Sequence, residues 1–106
     1  QQDLAAAKAA INKAIAVMGP RDFLLDTRGI VLLALGNPQA AEQDFQASLA
    51  SSQSPDRLFH LAAAYLAQGR KDEALAAFKQ AKDGGVSADT LHPQELPIFE
   101  RLASLL

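Results

Sequence analysis

The chain has 106 residues and a mass of 11.2 kDa, enough for one domain or a few repeat units and too short for two independent cores. Its 22 Ala and 16 Leu stand beside three Val, four Ile, two Thr, one Tyr and no Trp, a helix-former's composition that excludes an all-β fold. Ten basic against twelve acidic residues give a net charge of -2, so no general attraction to nucleic acid or anionic lipid is built in, and the absence of cysteine removes disulfides, thiolate metal ligands and thiol nucleophiles.

Helical periodicity begins at once. Residues 3–18 carry Leu4, Ala7, Ile11, Ala14 and Ile15 at three-to-four spacing, one face of a single helix. A second helix follows from Phe23 to Leu35, with Leu25, Gly29, Leu32 and Leu33 on its apolar side. Gly36-Asn37-Pro38 then supplies a left-handed stop and a proline suited to the first turn of a new helix. The third stretch, Gln39 to Ala50, repeats the spacing through Ala41, Phe45, Ser48 and Leu49 and ends at Ser51-Ser52-Gln53-Ser54-Pro55, a turn rich in capping residues. The next two helices copy this pair, with Leu58, Leu61, Ala62, Tyr65 and Leu66, a stop at Gly69, then Ala74, Phe78 and Ala81 before Asp83-Gly84-Gly85. No apolar run approaches the roughly 20 residues needed to span a bilayer, so membrane insertion is not expected.

The copying is measurable. A shift of 33 residues superimposes Leu25 on Leu58, Leu33 on Leu66, Ala34 on Ala67, Gly36 on Gly69, Ala41 on Ala74 and Phe45 on Phe78, and pairs Gly29 with Ala62 and Leu32 with Tyr65. A shift of 34 maps Ala7 onto Ala41, Ile11 onto Phe45 and Ile15 onto Leu49, which makes the first helix the second half of an earlier unit. Small residues recur opposite large ones. Gly29 and Ala62 in first helices, and Ala41 and Ala74 in second helices, mark close helix approach, while Phe45 and Phe78 are expected to fill the space between a hairpin and its successor.

With these residues in place the sequence resembles the tetratricopeptide repeat family. Leu61-Ala62, Tyr65, Gly69, Ala74, Phe78 and Ala81 match its signature, and Gly29, Leu32, Gly36, Ala41 and Phe45 repeat it, although Arg28 stands where the family prefers Leu. The resemblance implies an all-α fold, an α-solenoid of antiparallel helix hairpins wound as a right-handed superhelix, with a concave groove that binds proteins. Residues 3–18 are then a partial repeat, 22–52 and 55–84 full units, and 86–106 a C-terminal capping segment, all within a single domain. In that tail, His92-Pro93 reads as a helix entry and Phe99, Leu102, Ala103 and Leu106 as one apolar stripe. The ending is similar to that of large bacterial tetratricopeptide proteins, and together with a start at Gln1 lacking Met or a leader it suggests a processed or excised C-terminal piece of a longer chain of the bacterial cytoplasm or periplasm.

Catalytic and metal-binding motifs find no support. His60 and His92 lack a carboxylate at the spacing of a metal or triad motif and read as exposed or capping imidazoles. Asp89, Glu95 and Glu100 share the tail without a pairing signal, Gly84-Gly85 lacks the Lys-Ser or Lys-Thr of a phosphate loop, and Arg70 to Glu73 reads as a solvated helix start. No enzyme, cofactor or metal is expected. By resemblance, the groove is lined by Phe23, Asp26, Ile30, Leu33 and Ala34 from one unit and Asp56, Phe59, Ala63, Leu66 and Ala67 from the next. Family members that clamp acidic chaperone tails use Lys, Arg and Asn there; Asp26, Ile30, His60 and Ala63 at these places argue against such a clamp. An apolar groove suits an amphipathic helix or apolar extended segment of a protein partner, unless neighbouring repeats or the chain's own tail fill it. The alternatives are a purely structural cap of a longer array and an accessory domain of a larger enzyme. On the groove reading, Phe59→Glu is expected to weaken partner capture without changing melting. On the half-repeat, Leu4, Ile11 and Ile15 are expected to seat a second copy in a homodimer.

Overall fold

The computed structural model describes residues 3–106, and among them every regular element is helical. In chain order these are α1 (Leu4–Met18), α2 (Asp22–Ala34), α3 (Pro38–Ser51), α4 (Pro55–Ala67), α5 (Lys71–Asp83), a 3₁₀ turn (Pro93–Glu95) and α6 (Leu96–Ser104). Two compact units divide them, the first ending at Gln53 and the second beginning at Ser54. Each unit holds one helix hairpin and one further helix.

Local chemistry fixes the helix ends. The Asp3 carboxylate accepts the Ala6 N–H at 3.0 Å and caps α1, while Pro38 and Pro55 occupy the first turns of α3 and α4, where their missing N–H costs nothing. Three helices stop in the same way. Gly36, Gly69 and Gly85 take positive φ; their N–H groups bond back to Leu33, Leu66 and Lys82, and the following Asn37, Arg70 and Val86 bond to Leu32, Tyr65 and Ala81. This is the Schellman arrangement, which satisfies carbonyls left over at a helix end. At Gly69 it also presents Arg70, whose guanidinium lies 4.7 Å from the Tyr65 ring centroid and bonds Glu73. That hydrogen bond holds the exposed Glu73 carboxyl below its ordinary value. Its small contribution to stability is present above the ordinary carboxylate range and is lost as pH falls through the lowered value.

In the first unit α2 and α3 form the hairpin and α1 packs along α2. Leu24, Leu25, Leu32, Ala41, Phe45 and Leu49 are buried, and Leu4, Ile11 and Ile15 are half-buried. The closest approach is at Gly29. A Cβ built there would lie 2.7 Å from Phe45 Cδ1 and 2.8 Å from its Cζ, well inside contact distance, so only glycine lets α3 set this ring flat on the α2 backbone. Phe45 therefore packs within its own hairpin. Ser48, where the repeat has Ala81 in the second unit, is fully buried, and its hydroxyl donates to the Asp22 carbonyl at 2.7 Å.

In the second unit α4 and α5 form the hairpin, and the tail closes over it. Phe59, Ala62, Ala74, Phe78, Ala81, Val86 and Leu102 make one apolar cluster, with Leu58, Tyr65, Leu66, Ile98 and Phe99 packed around it. Gly84 is a second steric requirement, because a Cβ there would fall 2.6 Å from Pro55 Cγ at the start of the antiparallel neighbour. Phe78 meets the tail, with its ring centroid 5.3 Å from that of Phe99 in an edge-on contact. On α6 the face turned inward is Ile98, Phe99, Leu102 and Leu105; Ala103 and Leu106, expected on the apolar stripe, are exposed. α6 ends at Ser104, so Leu106 lies beyond its last turn, and the inward arc centres on Leu102 with Ile98 and Leu105 about one turn to either side, which leaves Ala103 at its edge.

Gly29→Ala adds up to about 1 kcal/mol of helix propensity but overpacks the Phe45 contact, for a net destabilisation of about 1–2 kcal/mol in urea titration. Ala74→Leu, at a site with no exposed surface, is expected to lower stability by about 1–3 kcal/mol. Full retention of both midpoints would contradict the packing described.

Candidate interaction surface

α2 carries two faces. Leu24, Leu25, Gly29 and Leu32 point inward, and the opposite side presents Phe23 and Ile30, 47% and 44% exposed, with Leu33 and Asp26 half-buried beside them. Phe23 and Ile30 are seven positions apart, two helical turns, so they stand about 10 Å apart along one side of the helix. Between them the Thr27 hydroxyl donates to the Phe23 carbonyl at 2.9 Å, removing its own donor from competition at that surface. Ala34 is exposed at the same side. Both aromatic and aliphatic anchors are thus offered to solvent from a rigid element.

α4 differs at the equivalent places. Asp56 is exposed and Leu66 half-buried, but Phe59 is 1% exposed and Ala63 is 6% exposed. Phe59 does not line an open groove. Its ring centroid lies 6.4 Å from those of Phe78 and Phe99, so the tail covers it. The substitution Phe59→Glu would drive a carboxylate into this cluster, and unchanged melting is no longer its expected result. Of the ten groove residues read from the sequence, Phe23 and Ile30 are the large apolar ones that stand exposed on α2, whereas Phe59 and Leu66 belong to the apolar cluster of the second unit.

His60 also departs from expectation. It is half-buried, and its Nε2 lies 2.9 Å from Glu95 Oε2, so it is neither an exposed imidazole nor a helix cap. His92 does cap: its Nδ1 accepts the Gln94 N–H at 3.2 Å, and its own N–H donates to Glu95 Oε1 at 3.0 Å. The separation of 35 positions between His60 and Glu95 leaves no local pattern from which the pair could be read. Among the described residues, no group of three or more His, Cys, Asp or Glu is placed to hold a metal ion, and no helix is long and apolar enough to cross a membrane.

A polar network stands where the first unit breaks the repeat. Arg28 donates through Nε to Asp44 Oδ2 at 2.7 Å and through Nη2 to Asp44 Oδ1 at 2.9 Å, and its Nη1 reaches Asn12 Oδ1 on α1 at 3.1 Å. The fork-to-fork bond raises the Arg28 pKa above its ordinary value despite partial burial, so the guanidinium stays charged throughout the usable pH range. A shift of 33 places Leu61 and Ala77 at these positions in the second unit. Paired departures from a repeat, one basic and one acidic on facing helices, are the signal that reveals such a bridge.

The tetratricopeptide repeat family matches residues 55–83, the α4–α5 hairpin. A solved structure, that of a thermophilic TPR protein of Thermus thermophilus, matches 96% of the chain with a TM-score of 0.75 and 31% sequence identity. The chain is a tetratricopeptide-repeat protein with the all-α fold of that family. It spans about half the length of the Thermus protein, 49% of that chain. No curated protein matches it.

Arg28→Leu leaves the buried Asp44 carboxylate without its guanidinium and is expected to cost about 2–3 kcal/mol. The double change Arg28→Leu with Asp44→Ala reproduces the second unit's residues and recovers most of that loss in a double-mutant cycle. A double-variant loss equal to the sum of the separate Arg28→Leu and Asp44→Ala losses would show that the bridge carries no coupling.

Proposed function

We propose that this chain is a non-enzymatic protein-interaction module and that the α2 face of Phe23, Ile30 and Leu33, with Asp26 beside them, receives an apolar side of a partner's helix or extended segment. Tetratricopeptide repeats in general mediate protein–protein interaction, and the observation that carries the reading here is the exposure of Phe23 and Ile30 on one side of a well-packed helix. Two large apolar side chains spaced by two turns match the one-turn and two-turn anchors of an amphipathic helix. The polar face of α2 offers no substitute for such a contact, since Arg28 is consumed by Asp44 and Asn12.

Helical peptides selected from a displayed library against the purified protein provide the test. Phe23→Glu and Ile30→Glu are each expected to reduce binding of the selected peptides at least about tenfold, the cost of a charge at an apolar hot spot, while circular dichroism melting stays within experimental error of the parent. Binding indifferent to both substitutions would remove α2 as the interaction surface.

A further inference from the structure

The tail occupies, within the second unit, the side of the first helix on which the repeat would otherwise present its contact residues. Phe99 packs against Phe59 and Phe78, Leu102 is fully buried, and Glu95 reaches His60 on α4. Glu95 performs two tasks with one carboxylate. Through Oε1 it accepts the His92 N–H and completes the capping box that starts the tail's own helical segment; through Oε2 it accepts the His60 Nε2–H and fastens that segment to α4. Forming the helix and docking it are therefore one event.

The tail is also weakly self-supporting. α6 has nine residues, short of the roughly 12–15 at which an isolated helix becomes even marginally stable, and Leu102 is its one fully covered apolar residue. Residues 84–92, which join it to α5, contain no helix, and Ser87 to Thr90 are exposed. Such a segment opens at lower free energy than the hairpin beneath it.

We propose that residues 86–106 form a displaceable strap, an intramolecular occupant of the α4 face at Phe59 and His60 that an amphipathic helix of similar pattern replaces: a carboxylate, an aromatic four positions on and Leu three further. This rests on the interaction reading above but concerns a different face. With the strap in place, the second unit's contact residues are withheld and α2 alone is open; opening of the strap, coupled to loss of its own cap, exposes Phe59 as a second docking position.

A labelled peptide of residues 87–106 is the probe, used with the full chain and with Glu95→Ala, which removes the Glu95 half of the capping box and the fastening to His60 together without touching the apolar cluster. Hydrogen exchange of the full chain should show α6 amides exchanging at least about tenfold faster than those of α4 and α5. Glu95→Ala should take up the peptide at least about tenfold more tightly than the parent, and a peptide carrying Phe99→Ala should not bind. Phe23→Glu should leave peptide uptake by Glu95→Ala unchanged, so the strap fails or stands independently of the α2 surface. Exchange of α6 only together with α4 and α5, or absence of peptide uptake by Glu95→Ala, would each overturn the proposal.

Discussion

The contact on which the first unit depends is a ring lying on a backbone. Phe45 rests against Gly29 so closely that a methyl group has no room, and this sets how near α2 and α3 approach. Because Gly29 must face Phe45, the helical period also decides which residues of α2 turn inward and which are left outside. Leu25 and Leu32 are buried on the same side as Gly29, and Phe23 and Ile30 emerge on the far side. The candidate surface is thus a consequence of the packing contact, reached through the 3.6-residue period of one helix.

The second unit follows the same plan with different chemistry. Ala62 stands in place of Gly29 and Phe78 in place of Phe45, and both are fully buried. The polar bridge of the first unit has no counterpart, since Leu61 and Ala77 occupy its positions. Conversely, the first unit has Asp26 where the second has Phe59, the residue around which the tail assembles. One repeat therefore supplies an open apolar face on a hairpin braced by a partly buried ion pair, and the other a face closed by its own chain.

Elements governed by neighbours in sequence were legible before any coordinates. The stops at Gly36 and Gly69, which recur at 33 residues, the proline entries at Pro38 and Pro55, and the close helix approach marked by Gly29 all follow from local chemistry, whereas the ring that Gly29 admits, Phe45, is expected from the sequence to face the next hairpin instead. What escaped was set by segments meeting across long separations. Phe59 carries the same helical signature whether it faces solvent or a tail 40 residues away, and nothing near His60 announces Glu95. The inward face of α6 differs from the expected stripe because the helix stops at Ser104: the arc it buries centres on Leu102 with Ile98 and Leu105, and Leu106 falls past the end. Arg28 is visible in the sequence as a departure from the repeat, and its role lies in Asp44, the matching departure on the facing helix.

Whether α2 presents the contact surface is open to direct measurement. A photoreactive amino acid placed in turn at Phe23, at Ile30 and at the exposed Lys79 on α5 tests it in cells that make the protein. Discrete cross-linked partner bands from positions 23 and 30, with none from position 79, are the predicted result. Cross-linking that is equal at all three positions, or confined to position 79, would contradict the account.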